Sequence, residues 1–68
     1  MSLRTGDRIK VVTSAGPFPF LPQNLGEVVT VDRAWVQLKF LGHQVSWWEI
    51  RDGSLHFHNR HTIRVERV

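Results

Sequence analysis

The dipeptide Asp52-Gly53 lies between two runs of alternating apolar and polar residues, and it is the tightest constraint in the chain. Both central residues of a type I′ turn need positive φ, which glycine adopts freely and aspartate tolerates. A two-residue loop centred there sets Arg51 opposite Ser54, Ile50 opposite Leu55, Glu49 opposite His56, Trp48 opposite Phe57 and Trp47 opposite His58. The apolar pairs Ile50–Leu55 and Trp48–Phe57 then share one face, and the remaining pairs share the other. Turn chemistry and hydrophobic pattern agree on one hairpin, with Trp48 turned inward and Trp47 outward.

Strand signals fill the rest of the chain. Gly6-Asp7 reads as a turn feeding a first strand, Arg8–Thr13, with Ile9 and Val11 on one face. Pro17, Pro19 and Pro22 then fall within six residues, interleaved with Phe18, Phe20 and Leu21. Proline cannot donate to a ladder, so Ala15–Leu25 is expected to be a long extended loop. Gly26 opens a second strand, Glu27–Asp32, and Asp32-Arg33 is the expected hairpin connection to a third, Ala34–Phe40. There Val36, Leu38 and Phe40 alternate with Trp35, Gln37 and Lys39. Gly42-His43 marks the turn into Gln44–Arg51. After the Asp52-Gly53 hairpin, Asn59-Arg60-His61-Thr62 breaks the pattern as a single helical turn, before a last strand, Ile63–Arg67.

Five or six short strands in 68 residues, with one long loop after the first, predict an all-β fold: a small SH3-like barrel forming a single domain over residues 1–68. Closure removes the exposed edges that would endanger so small a sheet. The expected core is Ile9, Val11, Val29, Val31, Val36, Leu38, Phe40, Trp48, Ile50, Leu55, Phe57, Ile63 and Val65. A chain this short has little stability to spare, so self-association would help it. Cysteine is absent, which excludes disulfides and thiolate metal sites. No apolar run approaches the roughly 18 residues of a membrane span, and the N-terminus lacks a signal-peptide stretch, so a cytoplasmic protein without a membrane partner is expected.

Gly6-Asp7-Arg8-Ile9-Lys10-Val11-Val12, Gly16-Pro17-Phe18 and Gly26-Glu27-Val28 together resemble the opening of KOW-type SH3-like domains. The resemblance covers the first half of the chain, with Pro19–Leu25 inserted between the two glycines. Such domains occur in transcription-elongation factors and ribosomal proteins, so the resemblance implies a nucleic-acid or nucleoprotein partner. The same opening is similar to that of small SH3-like subunits of photosynthetic electron-transfer complexes, which implies an assembly role.

Composition points the same way. Nine Lys and Arg against six Asp and Glu give a formal charge of +3. Seven of the nine are arginine, whose planar guanidinium suits phosphate or carboxylate. The outer face of the hairpin collects Trp47, Glu49, His56 and His58, and the neighbouring strand adds Trp35, Gln37 and Lys39. Two outward tryptophans suggest a contact surface, either for stacked bases, with Lys39 and Arg51 beside them, or for a protein or a second copy of the chain. Phe18 is the aromatic of the proline-rich loop expected to join that surface. One tryptophan folding under the loop would reduce the patch to ordinary packing.

His56, His58 and His61 form the one metal-like cluster, with Glu49 as an oxygen donor. Polar histidines on a solvated strand face need no ligand, and no metal or cofactor is expected. No phosphate loop, nucleophile elbow or catalytic triad is recognisable, so no catalytic residue is assigned and the chain is read as a non-enzymatic binding module, with nucleic acid or a nucleoprotein as the leading partner and a protein-interaction or assembly role as the alternative.

Overall fold

A computed structural model describes residues 2–17, 24–41 and 44–68. Six strands follow one another: β1 (Arg8–Ala15), β2 (Leu25–Asp32), β3 (Trp35–Phe40), β4 (Ser46–Arg51), β5 (Ser54–Phe57) and β6 (His61–Arg67). Each pairs antiparallel with the next, and β6 returns to pair with β1, giving a closed barrel. This is the all-β, small SH3-like architecture expected from the strand pattern. Among the described residues there is no helix long and apolar enough to cross a membrane.

The hairpin at Asp52-Gly53 forms as its chemistry dictates. Asp52 and Gly53 both have positive φ, 52° and 76°. The ladder pairs Arg51 with Ser54, Ile50 with Leu55 and Glu49 with His56. Trp48 is 1% exposed and its ring lies 5.3 Å from that of Phe57, so the inward pair is made. Its indole Nε1 donates to Ser46 Oγ at 2.9 Å, which satisfies the one polar atom that the ring carries into the wall.

The other turns differ from expectation. The β2–β3 connection is Arg33-Ala34, because Asp32 pairs with Trp35 and Arg33 takes φ 56°. The expected helical turn near Asn59 is instead a tight reversal. Both His58 and Asn59 have positive φ, 49° and 56°, and the Arg60 N–H donates to the Phe57 carbonyl. β6 therefore starts at His61, two residues earlier than its hydrophobic pattern shows.

The core gathers Ile9, Val11, Val28, Val36, Leu38, Phe40, Trp48, Leu55, Ile63 and Val65, with Val31, Ile50 and Phe57 packed against it. Val28 occupies the place expected for Val29. The β2–β3 register shifts between Val28 and Thr30, so Val29 is the extra residue of a bulge. That insertion lets Val28 and Val31, three apart, both face inward. A second bulge lies in β1 between Val11 and Thr13. Past it Ser14 faces inward, opposite Ile63. Leu3, outside any strand, also joins the core.

His61 is a buried polar residue of the barrel, only 1% exposed. Its Nε2 is 2.7 Å from Ser14 Oγ, and its ring stands edge-on to Trp48. Burial pushes the imidazole below its ordinary value of 6.5, because charging it there forfeits hydration. Gly16 passes directly over this histidine. A Cβ at Gly16 would stand 2.5 Å from His61 Nδ1 and 2.6 Å from the Arg60 carbonyl oxygen, so glycine is what permits the close approach.

Candidate contact surface

The strand registers place the outward residues of β2 to β6 in rows. Asp32 faces Trp35, Trp35 faces Glu49, Glu49 faces His56, and His56 faces Thr62. The neighbouring row holds Thr30, Gln37 and Trp47, and the next holds Glu27 and Lys39. Trp35 and Trp47 are thus diagonal neighbours across β3 and β4, a separation of about 7–8 Å between backbones in antiparallel pairs. They are 45% and 42% exposed, whereas Trp48, next to Trp47 in sequence, is buried. One aromatic face therefore sits on the outside of the barrel wall, as alternation on two independent strands requires.

Further apolar side chains are exposed beyond the Glu27–Lys39 row. Leu25, Leu41 and Val45 are exposed, Leu41 at 92%, and the Leu41 N–H donates to the Leu25 carbonyl at 3.4 Å. Sequence reasoning assigns these residues to loop and strand ends and so misses them. An exposed leucine alone is ordinary, but five large apolar side chains on adjoining strands and loops are not.

The charges beside the tryptophans do not form a cationic platform. Arg51 Nε lies 2.9 Å from Glu49 Oε1, and its Nη2 donates to Asn59 Oδ1 at 2.7 Å. The guanidinium expected to meet phosphate is engaged within the chain. Lys39 is exposed and stands opposite Glu27 in the ladder. Asp32 and Glu49 flank Trp35 on either side.

The histidines separate. His56 remains on the outer face, with Nδ1 3.2 Å from Thr62 Oγ1, while Glu49 turns to Arg51. His58 belongs to the β5–β6 turn, not to the ladder opposite Trp47. Its ring stands edge-on to Phe57, with centroids 4.4 Å apart. His61 is in the interior. The three thus point to different places, and among the described residues no group of three His, Cys, Asp or Glu is arranged to hold a metal ion. Phe18, the rest of the proline-rich run through Gln23, and Gly42-His43 lie outside the described residues.

No known protein family, curated protein or solved structure matches this chain.

Proposed function

We propose that this chain is a non-enzymatic interaction module whose partner docks on the β3–β4 face. The observation that carries this reading is the diagonal Trp35–Trp47 pair, outward on adjoining strands, with further apolar side chains exposed beyond the Glu27–Lys39 row. Aromatic anchors of this kind dominate many protein contacts, and mixed charges at their rim are ordinary there. Asp32, Glu27 and the neutralised Arg51 fit a protein surface, a different subunit or a second copy, better than a phosphate backbone at this face.

The second reading is base stacking on the two indoles, with Lys39 as the phosphate contact. It draws on the KOW-like opening of the chain and on its basic composition. Salt separates the two readings, since phosphate contacts weaken steeply with ionic strength and an aromatic protein interface does not.

A photoreactive amino acid in place of Gln37, between the tryptophans, tests the reading in the host cell. The expected result is a discrete protein adduct that disappears when Trp35 and Trp47 are both replaced by serine, with the circular dichroism of the barrel unchanged. An adduct indifferent to that double substitution, or crosslinking to nucleic acid in place of protein, would overturn it.

A further inference from the structure

Charge is divided unequally around the barrel. The N-terminal segment, β1, and the turn and strand of β6 carry Arg4, Arg8, Lys10, Arg60, Arg64 and Arg67. Asp7 and Glu66 oppose them there, and Glu27 of β2 faces Arg8 across the ladder, so six cations against three carboxylates leave +3. Residues 28–57 carry Arg33, Lys39 and Arg51 against Asp32, Glu49 and Asp52, which is neutral. In a closed sheet ordered β1 to β6, the β1–β6 seam lies across the barrel from β3–β4. The basic side and the tryptophan side are therefore opposite faces.

We propose that the β1–β6 seam is a second binding surface, one that takes the phosphate backbone of a nucleic acid. Alternation from the inward Ile9, Val11, Ile63 and Val65 turns Arg8, Lys10 and Arg64 outward. Lys10 pairs with Glu66 and Thr13 with Arg64 along the ladder, so the cations follow one line over the seam. From Arg8 to Thr13 that line runs about 16 Å at the rise of a strand. The one ion pair among the described residues is Arg51–Glu49; Arg8 and Lys10 face Glu27 and Glu66 across the ladder without closing a pair, and Arg64 faces Thr13. The β1 bulge opens a groove of about 400 Å³ lined by Val12, Thr13, Arg64, Val65 and Glu66.

The chemistry favours phosphate over other anions. Five of the six cations are guanidinium groups, which grip phosphate oxygens in a bidentate fork. A lipid surface would call for several large apolar or aromatic anchors among the cations, and among the described residues the exposed apolar side chains in or beside β1 and β6 are Val12, Val68 and, opposite Lys10, Leu25, with no aromatic. Phosphate contacts carry no base information, so binding through this seam is expected to be insensitive to sequence.

Fluorescence anisotropy of short labelled duplex DNA, with single-stranded DNA and RNA beside it, tests this surface directly. With three to four phosphates neutralised on the duplex, log K should fall with log salt at a slope of about −3, or roughly 40- to 150-fold between 50 and 200 mM. The double variant R8A/K10A should flatten that slope by up to about two and R64A by up to about one, while K39A and W35S/W47S leave it unchanged. Circular dichroism of each variant confirms that the barrel is intact. Absence of binding at low salt, loss on W35S/W47S in place of the seam variants, or equal competition by poly-glutamate would overturn the proposal. The crosslinking result at Gln37 is independent of these outcomes, so either surface can fail alone.

Discussion

Replacing Gly16 by alanine should be among the most damaging single-methyl changes in this protein. The added Cβ would meet the His61 ring and the Arg60 carbonyl at separations that real Cβ atoms do not show. The backbone there has φ +134°, and an L residue held in such a region costs about 1–3 kcal/mol. Moving His61 aside also strains the Ser14–His61 hydrogen bond, and an unsatisfied buried partner costs about 1–3 kcal/mol more. The expected total is about 2–6 kcal/mol. A chain of this length has roughly 3–10 kcal/mol of stability to lose, so the variant should be marginal. Gly53→Ala is the internal control. Gly53 also has positive φ, +76°, but nothing lies within 4 Å of where its added methyl would sit, so about 1 kcal/mol of backbone strain is all it should lose. Urea melts followed by tryptophan fluorescence measure both, with the buried Trp48 as reporter. Equal losses for the two variants would show that the Gly16–His61 contact is not tight, and the reasoning would fail.

Three further outcomes follow from the same packing. Burial keeps His61 below its ordinary 6.5 in the folded state, so the unfolded chain takes up the proton first. The stability that the neutral imidazole contributes is whole above pH 6.5 and declines as the pH drops below it; thermal melts across that range should show the decline, and His61→Gln should remove it. Val28→Ala should cost about 1–3 kcal/mol and Val29→Ala distinctly less, since the bulge turns Val28 inward; the reverse order in urea melts would place the bulge elsewhere. Trp48→Ala should lose roughly 3–5 kcal/mol and Trp47→Ala much less, so comparable losses would contradict the register of β4.

The features that a period of two can express are legible in the sequence. Asp52-Gly53 sets the β4–β5 ladder, and alternation alone separates Trp48 from Trp47 and turns Trp35 away from Val36 and Leu38. A bulge adds one residue and reverses the faces beyond it, which alternation cannot show in advance; Val28 escapes the pattern for that reason, and the inward turn of Ser14 for the same one. The β5–β6 turn has no glycine, and its two positive-φ residues are His58 and Asn59, so nothing in composition marks it as a hairpin. His61 reads as part of a polar break because its partners, Ser14 and Gly16, are more than forty positions away in sequence. The separation of basic and aromatic faces depends on β6 closing against β1. A count of arginines along the chain cannot show that most of them gather on the side away from the tryptophans.

The indole N–H signals of the three tryptophans, recorded by NMR with a soluble paramagnetic chelate, test the outward aromatic face most directly. At low protein concentration the Trp35 and Trp47 signals should broaden strongly, while that of Trp48, buried and bonded to Ser46 Oγ, stays sharp and exchanges slowly. A sharp, protected pair at Trp35 and Trp47 in the monomer, or a broadened Trp48, would contradict the account.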